Sequence, residues 1–419
     1  RKRAPSTTGN GIIGLRKGMM PASIDAQNLR VRRRDGAWHR GAWSVFYSLF
    51  LPLFPLMLMP SPLNVDAYHA AARSRLSQMV YDYYAGGARD EVTLNDNETA
   101  YRHLQLRPRV LRDIRTRDLS TTVIGHTLDV PFFVAPTAFH RMACDAGERA
   151  TVQAAGAAGT ALTLSTLSTT AVEDVTAAAS GPVWFQLYVY TDREATRDLV
   201  HRAEAAGCSA LVLTVDGQVW GVRERDEHND FTLPEGLAMQ NLEASGQAQF
   251  PETDGSGLAA YVNERFDKAL TWKDLDWLAG LTDLPLLVKG ILRGDDAVRA
   301  AEHGADGIVV SNHGGRQLDT VPATIDVLPD IATAVKNHDV DVLLDGGIRR
   351  GTDILKALAL GADAVGLGRP VLWGLAVDGA AGAEHVLTLL RDELDTAMAL
   401  CGVRSLDEAT PDLVRAPKR

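Results

Sequence analysis

A histidine in a glycine-rich segment is the residue whose type and setting most clearly suggest chemistry. His313 lies within Ser311-Asn312-His313-Gly314-Gly315-Arg316, and the flanking glycines leave its ring accessible. An imidazole titrates near neutral pH, so beside a carboxylate, for which Asp216 is the candidate, it is a competent general base. Arg316 and Arg223 can each bind a substrate carboxylate through two parallel hydrogen bonds. Together these residues predict proton transfer on a substrate that carries a carboxylate.

Two glycine-rich segments later in the chain have the composition of a phosphate site. They are Asp345-Gly346-Gly347-Ile348-Arg349-Arg350-Gly351 and Gly366-Leu367-Gly368-Arg369-Pro370. Glycines let backbone N–H groups approach a phosphate closely, and Arg349 and Arg369 add positive charge. Either segment alone could be a tight turn, but the pair predicts a phosphate pocket.

Lys289 is a further candidate because of the residues before it. It follows Leu286-Leu287-Val288, an apolar run typical of a buried strand. A surface lysine is the alternative, but the run favours a side chain whose stem lies inside the fold with its ammonium at the edge.

The elements that must position these residues follow an alternating pattern from about residue 60 onwards. Helical stretches such as 66–85, 146–158, Arg193–Ala206, Asp295–His303 and Gly351–Gly361 alternate with short apolar runs rich in β-branched residues. The eight runs are Pro131–Ala135, Thr160–Ser165, Val183–Val189, Ala210–Val215, Pro285–Val288, Gly307–Val310, Asp341–Leu344 and Ala364–Leu367. Continuously apolar strands alternating with helices indicate a parallel sheet covered on both faces. Eight such units predict an α/β fold, a closed (β/α)8 TIM barrel, with a doubly wound open sheet as the alternative.

Polar residues stand at the C-terminal end of every predicted strand. Barrel enzymes build their active sites at this rim, because the loops there bring side chains from many strands together. We therefore expect these residues to converge on one site: Pro136, Thr137, Ser165, Gln186, Tyr188, Thr214, Asp216, Lys289, Ser311, His313, Asp345, Gly368 and Arg369.

The connection from about residue 216 to 285 is too long for one simple crossover. It contains Glu224–Phe250, a polar stretch with little apolar periodicity. Loops of this length are usually lids or disordered insertions. The stretch lacks a basic amphipathic face, which argues against a membrane anchor.

Residues 1–59 differ in character from the rest and are predicted to be a basic and apolar leader outside the 60–419 barrel domain. The apolar run 45–59 is shorter than the roughly 20 residues that span a bilayer. We expect a disordered leader, or a true start at Met57 or Met59, with targeting or membrane-surface attachment as the alternative. Gly9-Asn10-Gly11-Ile12-Ile13-Gly14 matches a dinucleotide-binding motif, but a strand does not precede it, so we reject that function.

Charge and cysteine content narrow the classes of partner. The net charge is −10; residues 1–60 carry ten basic and two acidic side chains, which leaves 33 basic and 51 acidic residues elsewhere. An acidic main body argues against nucleic-acid binding. The three cysteines show neither disulfide-framework nor metal-ligand spacing, so we expect no metal site and a reducing, cytoplasmic location.

Several segments together resemble the FMN-dependent 2-hydroxy-acid oxidase and dehydrogenase family, and within it the glycolate oxidase branch. The similarity runs in order from about residue 64 to 408. It rests on Met79–Gly87, Ala135–Ala138, Phe185–Tyr188, Leu286–Gly290, Ser311–Asp319 and Asp345–Gly351. It implies FMN as cofactor, a small (S)-2-hydroxy acid as substrate and a homo-oligomer, either a tetramer or an octamer.

The resemblance also implies a role for each site residue. His313 would be the base, held by Asp216, while Arg316, Arg223, Tyr83 and Tyr188 would bind the substrate. Lys289 would face the N1–O2 edge of the flavin and stabilise the reduced ring. The cofactor site as a whole would comprise Pro136, Thr137, Ala138, Ser165, Gln186, Thr214, Lys289, Ser311, Asp345, Gly347, Arg349, Gly368 and Arg369.

Two departures from the family pattern bear on the substrate. Leu167 stands where glycolate oxidases have tryptophan, so the pocket should be wider and favour longer or branched hydroxy acids. Trp220, in Gly217-Gln218-Val219-Trp220, replaces a smaller residue and would refill part of that space.

The sequence leaves two classes of enzyme open, which differ in their electron acceptor. An oxidase would pass electrons to O2 and form H2O2, whereas a dehydrogenase would use a quinone or another acceptor. The polar character of Glu224–Phe250 favours the oxidase, since members that use membrane quinones can carry an apolar insertion there.

A phosphate-binding barrel without catalytic activity is a further hypothesis. The joint presence of His313, the two arginines and Lys289 argues against it.

Overall fold

The computed structural model describes residues 62–415, and eight parallel strands in this range close into a barrel. Closure is made by the pairing of the first barrel strand with the last, Val365 opposite Phe132 and Leu367 opposite Val134. The predicted (β/α)8 barrel is therefore confirmed, and the open-sheet alternative is wrong. The strands are β1 (Phe132–Val134), β2 (Leu162–Ser165), β3 (Val183–Leu187), β4 (Ala210–Thr214), β5 (Leu286–Ile291), β6 (Gly307–Val310), β7 (Asp341–Asp345) and β8 (Ala364–Leu367).

The barrel interior is a packed apolar cluster that is closed at its N-terminal end by a hairpin. Phe133, Trp184 and Leu343 lie in this cluster, as do Ile124 and Leu128 of the hairpin. The hairpin pairs strand Thr121–Val123 with His126–Leu128. Filling this end with side chains leaves the C-terminal rim as the open end.

Helices surround the barrel. In residues 62–415 they are α1 (Val65–Arg73), α2 (Gln78–Ala85), α3 (Val92–His103), α4 (Gly147–Ala157), α5 (Val172–Ala177), α6 (Arg193–Ala205), α7 (Glu224–His228), α8 (Gly257–Arg265), α9 (Trp272–Ala279), α10 (Gly294–Glu302), α11 (Thr324–Val335), α12 (Gly351–Ala359) and α13 (Arg369–Cys401). The last is broken at Asp378 and Gly379, whose backbone angles are not helical. Short antiparallel strands Gln105–Leu106 and Val414–Arg415 pair with each other.

The predicted helix over 66–85 is in fact two helices. The first ends at Arg73 and the second begins at Gln78. Ser77 has an extended backbone, and its hydroxyl accepts a hydrogen bond from the N–H of Val80 at 3.4 Å, as an N-cap residue does. The cap starts a new helix at a point where the apolar pattern alone runs on.

The stretch Glu224–Phe250 is neither a detached lid nor an unstructured insertion. It contains α7 and a short 3₁₀ turn, Gln240–Leu242. Phe231 and Met239 are fully buried, and the ring of Phe231 stacks on that of Tyr83 with centroids 4.3 Å apart. Its apolar residues are too irregularly spaced to show a period, yet they anchor the segment against the barrel rim.

None of the helices within residues 62–415 is long and apolar enough to cross a membrane. The predictions for the leader 1–59, including its glycine motif at 9–14 and the start at Met57 or Met59, lie outside the described residues.

Candidate active site

A pocket opens at the C-terminal ends of the barrel strands and brings together nearly all of the predicted site residues. Asp216 is hydrogen-bonded to His313 and Ser311 to Lys289, but neither of the two lines the pocket itself. The predicted residues that line it are Tyr83, Pro136, Thr137, Ala138, Ser165, Leu167, Gln186, Tyr188, Thr214, Arg223, Lys289, His313, Arg316, Asp345, Gly347, Arg349, Gly368 and Arg369.

His313 and Asp216 form a hydrogen-bonded pair at one side of this pocket. Nδ1 of His313 lies 2.8 Å from Oδ1 of Asp216. Since a carboxylate accepts a hydrogen bond, the imidazole carries its proton on Nδ1, and the lone pair of Nε2 is directed away from Asp216. The hydroxyl of Tyr188 lies 3.4 Å from this Nε2. His313 can therefore accept a proton at Nε2 while Asp216 stabilises the resulting positive charge.

Burial and neighbouring charges set the proton affinities of this pair. Burial lowers the pKa of His313, with Asp216 opposing the shift and Lys289 adding to it. Burial alone would raise the pKa of Asp216, but His313 and Lys289 bring it below its ordinary value. The pair is therefore a neutral imidazole beside a carboxylate near neutral pH, the state a base requires.

The backbone of the loop after β6 holds His313 in an uncommon conformation. Its φ is 59°, and Gly314 and Gly315 follow with φ of 64° and 75°. The N–H of His313 donates to the Oγ of Ser311 at 3.0 Å. A Cβ on Gly315 would lie 2.6 Å from the backbone nitrogen of Leu94, so only glycine fits where this loop meets α3. Gly314 and Gly315 therefore orient the side chain of His313 as well as leaving it accessible.

Arg223 is almost fully buried and is held by three neighbours. Its guanidinium lies over the ring of Trp220, 3.8 Å from the centroid, and 3.6 Å from the carboxylate of Asp226. Its Nε donates to the backbone oxygen of Arg316 at 3.3 Å. Burial, and then the charge of Arg316, lower the pKa of Arg223 to about 10, which leaves it charged at neutral pH.

Arg316 is the second cation on the same side of the pocket. One of its Nη atoms donates to the backbone oxygens of Tyr83 and Gly86, at 2.6 and 2.9 Å. The guanidinium also lies over the Tyr83 ring, 4.9 Å from its centroid. These contacts fix the orientation of the Arg316 guanidinium, so Arg223 and Arg316 can both bind the same anion.

Tyr83 and Tyr188 complete the polar wall around His313. Burial raises the pKa of Tyr83, although Arg316 and Arg223 oppose the shift. Burial and the charge of Asp216 raise that of Tyr188. Both phenols therefore stay protonated and can donate hydrogen bonds to a substrate.

Lys289 projects from β5 into the barrel mouth, as its apolar run predicts. Its ammonium donates to the Oγ of Ser311 at 3.0 Å and lies 3.4 Å from the carboxylate of Asp345. β5 runs three residues past its predicted end at Val288, and its pairing with β6 shifts register between Lys289 and Ile291. A buried ammonium has three donors, so it can hold another acceptor in the pocket.

A row of uncharged polar side chains follows the rim from β1 to β4. The Oε1 of Gln186 accepts from Ser165 at 3.3 Å, and its Nε2 donates to Thr214 at 3.0 Å. Thr137 lies at the end of β1 in the same pocket. Hydroxyl and amide groups in a row, with a cation opposite, match the polar edge of a flat heteroaromatic ring such as a flavin.

The two glycine-rich segments that were predicted to bind phosphate also line this pocket. Arg349 pairs with Glu98 at 2.7 Å. Arg369 donates to the backbone oxygens of Tyr84, Gly86 and Gly314 at 2.9 to 3.0 Å. Burial, and then the charges of Arg316 and Arg349, hold the pKa of Arg369 well below its ordinary value. Concentrated positive charge beside these segments favours a dianion, and the whole donor set fits FMN.

The apolar wall of the pocket was missed in large part by sequence reasoning. Leu167 and Trp220 were predicted to shape it, but Leu258, Val262 and Phe266 also line it. The last three come from α8 and the residue after it. Their spacing of four residues was a helical signal inside the long connection, and it could have been found.

His140 was also missed, because none of its neighbours in the sequence suggests a functional role. It is 2 % exposed, and its Nε2 lies 2.6 Å from the Oγ1 of Thr137. It contacts a pocket residue without lining the pocket.

Comparison with known proteins agrees with this site. The family model described as FMN-dependent dehydrogenase matches residues 72–416. An L-lactate oxidase from Nostoc sp. is 53 % identical over 353 residues, covering 83 % of this chain and 96 % of the relative. A 2-hydroxyacid oxidase 1 from Homo sapiens is 48 % identical over 362 residues, covering 85 % of this chain and 98 % of the relative.

The chain is also similar to solved structures of two proteins that are named for oxidising mandelate. A mandelate oxidase with (S)-4-hydroxymandelic acid superposes with a TM-score of 0.80 at 42 % identity, covering 83 % of this chain and 97 % of that one. A soluble mutant of the membrane-associated (S)-mandelate dehydrogenase from Pseudomonas putida has a TM-score of 0.78 at 39 % identity, with coverage of 85 % and 99 %.

Proposed function

The chain belongs to the family of FMN-dependent dehydrogenases, and we propose that it oxidises an (S)-2-hydroxy acid to the 2-oxo acid and passes the electrons to O2. The observation that carries the proposal is the His313–Asp216 pair in the same pocket as Arg223 and Arg316. A base and a carboxylate clamp in one cavity are what removal of a proton from a 2-hydroxy acid requires. FMN, when bound, supplies the two-electron acceptor.

The substrate is held by its carboxylate. Arg223 and Arg316 bind this group, and Tyr83 donates a further hydrogen bond to it. The clamp leaves the 2-hydroxyl and the C2 hydrogen to Tyr188 and His313, which line the same pocket. Fixing a small substrate at one end in this way replaces a bimolecular encounter with an oriented one.

His313 then takes a proton from the substrate at Nε2. Its Nδ1–H remains bonded to Asp216, so the imidazolium forms beside a carboxylate in a buried site. The attraction between the two opposite charges is stronger in such a site than in water. Asp216 also keeps the ring in the tautomer that leaves Nε2 free.

The remaining predicted residues would hold the cofactor. Lys289 would place its charge against the polar edge of the ring and stabilise negative charge there. Side chains and backbone groups around the rim would bind the ring, and Arg349 and Arg369 would face the phosphate. The supporting residues for the ring and its chain are Pro136, Thr137, Ala138, Ser165, Gln186, Thr214, Ser311, Asp345, Gly347 and Gly368.

The substrate class follows from the apolar wall. Leu167 is only 5 % exposed and stands with Trp220 and Phe266 around the space next to the clamp. A leucine here leaves room for a methyl or larger apolar group on C2, which glycolate lacks. We therefore favour (S)-lactate and longer or aryl-bearing hydroxy acids over glycolate. The names of the lactate and mandelate oxidases similar to this chain support this choice.

O2 is the electron acceptor that we favour. The similar proteins are named as oxidases more often than as dehydrogenases. The stretch Glu224–Phe250, where an apolar insertion would serve a membrane acceptor, is mostly polar and packs on the rim. The alternative is a dehydrogenase that uses a quinone.

An oxygen electrode tests both parts of this proposal. Purified protein loaded with FMN is mixed in air with (S)-lactate, (S)-mandelate, (S)-2-hydroxyisocaproate and glycolate in turn. We expect O2 consumption, with one H2O2 formed per 2-oxo acid, and a higher kcat/KM for lactate than for glycolate. Turnover seen only with a quinone analogue would contradict the choice of O2, and no turnover with any of the acids would contradict the reaction.

Three further proposals concern the protein around the site. We propose that residues 60–419 form the catalytic domain, which the family match from residue 72 supports. We propose a cytoplasmic location, supported by free thiols at Cys144, Cys208 and Cys401. We also propose a homo-oligomer, which size-exclusion chromatography with light scattering tests directly.

A further inference from the structure

The loop after β4, residues 216–221, carries part of the proposed site, yet its own backbone does little to hold it in place. Just before it, the N–H of Val215 donates to the backbone oxygen of Lys289 at 2.9 Å. Just after it, the backbone oxygen of Val222 accepts from the N–H of Arg89 at 3.0 Å. Between these two anchors, in the part of the chain that the structure describes, the loop makes no backbone–backbone hydrogen bond. Side chains must therefore fix its position.

One side chain of the neighbouring loop, that of Gln317, binds this loop at three points. Its Nε2 donates to the backbone oxygen of Asp216 at 2.6 Å and to that of Val219 at 3.0 Å. Its Oε1 accepts from the N–H of Gly221 at 3.2 Å. A single amide thus binds the first residue, the middle and the last residue of the loop.

These three contacts fix the orientation of the Gln317 amide. Asp216 and Val219 present carbonyl oxygens, which only accept, whereas Gly221 presents an N–H, which only donates. Exchanging the nitrogen and the oxygen of the amide would place an oxygen against two oxygens and an NH2 group against an N–H. The orientation that makes all three hydrogen bonds is therefore the one that the loop selects.

The two loops also touch through their backbones beside this amide. A Cβ on Gly221 would lie 2.5 Å from the Cα of Gln317 and 2.7 Å from its backbone oxygen, so only glycine fits there. Two residues on, the Nε of Arg223 donates to the backbone oxygen of Arg316 at 3.3 Å. The loops after β4 and β6 therefore pack as one unit, and Gln317 contributes three of the hydrogen bonds between them.

Asp216 is the functional residue that Gln317 holds most directly. The carboxylate of Asp216 is bonded to Nδ1 of His313 at 2.8 Å, and its backbone oxygen to Gln317. Since His313 and Gln317 belong to the same loop, that loop binds Asp216 at two points, once through the side chain and once through the backbone. Attachment at two points restricts movement of the carboxylate away from the imidazole.

We propose that Gln317 is a positioning residue that keeps the carboxylate of Asp216 against His313 while the imidazole takes a proton. The inference rests on the proposed function, since it gives Gln317 a part in that proton transfer. Without the amide, the loop after β4 can shift, and the carboxylate then stabilises the imidazolium less.

Gln317→Met tests this inference, because methionine has a similar length but cannot make the three hydrogen bonds. The full chain is loaded with FMN and mixed without oxygen with (S)-lactate, and the limiting rate of flavin reduction is measured per bound FMN. We expect this rate to fall about 10- to 100-fold, as a small misplacement of a catalytic group can cause. Gln317→Glu, which keeps the acceptor for Gly221 but lacks both donors, should also slow reduction.

Gln249→Met is the matched control. Gln249 is exposed, and its Nε2 donates to the backbone oxygen of Leu237 at 3.5 Å, outside the pocket. This change should leave the rate of reduction unaltered. Thermal unfolding of each variant shows whether the fold is kept.

A double-mutant cycle distinguishes positioning of Asp216 from a general structural effect. In a protein that already carries Asp216→Ala, the carboxylate that Gln317 holds is gone. Gln317→Met should then slow reduction less than about twofold further, whereas two independent effects would multiply.

The acid limb of the pH profile is a second readout. Burial lowers the pKa of His313, and Asp216 opposes this shift. A displaced carboxylate opposes it less, so in Gln317→Met the pKa should fall further and the acid limb of the second-order rate constant of reduction should move to lower pH. The other titratable groups that face the imidazole keep their charges in this variant; they are Lys289, Arg223 and Tyr188.

A wild-type rate in Gln317→Met, an acid limb that does not move, or a full further slowing in the Asp216→Ala background overturns the inference. An equal loss of rate in Gln249→Met does so too. A wild-type protein that binds no FMN, or is not reduced by any 2-hydroxy acid, contradicts the proposed function and this inference together. A wild type that is reduced, beside an unaltered Gln317→Met, contradicts the inference alone.

Discussion

Arg316 and Arg369 donate hydrogen bonds to the same backbone oxygen, that of Gly86, at 2.9 Å each. One arginine belongs to the proposed substrate clamp and the other to the proposed phosphate end. Gly86 follows directly after α2, where unpaired carbonyls carry partial negative charge. The C-terminal end of α2 therefore holds close together two cations that would otherwise repel each other. It also links the position of the proposed substrate clamp to that of the proposed phosphate end.

Replacing Arg316 by lysine should weaken substrate binding. Lysine keeps the charge but has no planar fork, so it cannot make the same paired bonds to a carboxylate. The loss of a charge-assisted hydrogen bond predicts a KM for (S)-lactate raised about 10- to 100-fold, with a smaller fall in kcat. Steady-state kinetics measures both.

Arg75→Lys is the control for that change, because Arg75 is an exposed arginine near the end of α1. It should leave KM unaltered. A KM in Arg316→Lys equal to that of the wild type would remove Arg316 from the carboxylate clamp.

The pH profile should report the protonation of His313. The neutral imidazole is the active form, and burial holds its pKa below the ordinary value near 6.5. As pH falls through this pKa the base becomes protonated, so kcat/KM should drop tenfold per unit on the acid side. Above it, through neutral pH, kcat/KM should be level. An acid limb that begins above pH 7 would show that another group is the base.

Leu167→Trp should change substrate preference rather than abolish the reaction. The larger side chain fills space beside the clamp, so it should exclude a methyl group more than a hydrogen. We expect the ratio of kcat/KM for (S)-lactate to that for glycolate to fall about tenfold or more. Leu167→Met, of similar volume, should keep the ratio. If the ratio stays the same in both variants, Leu167 does not set the width of the pocket.

Much of the barrel and rim could be predicted from sequence because the signals are local. Each strand is a short apolar run, and the residue at its end faces the site as a consequence of the fold, which is how Lys289 and Asp345 were found. Part of what was missed depends on contacts between distant segments, as where Phe231 is buried by stacking on Tyr83. His140 lies only three residues from Thr137, but nothing in the sequence shows that its ring contacts that side chain. Ser77 is a typical N-cap residue and could have indicated the boundary between the two helices, but the apolar pattern continues through it and predicted one helix.

The most direct test of the proposed chemistry separates cofactor binding from proton removal. His313→Ala is compared with the wild type and with His201→Ala, a change at an exposed position on α6. Each protein is loaded with FMN and mixed without oxygen with (S)-lactate, and the flavin absorbance near 450 nm (roughly the ordinary maximum of oxidised flavin) is followed. We predict that all three bind FMN, that the wild type and His201→Ala bleach within seconds, and that His313→Ala bleaches at least about 100-fold more slowly. Bleaching of His313→Ala at the wild-type rate would contradict the account.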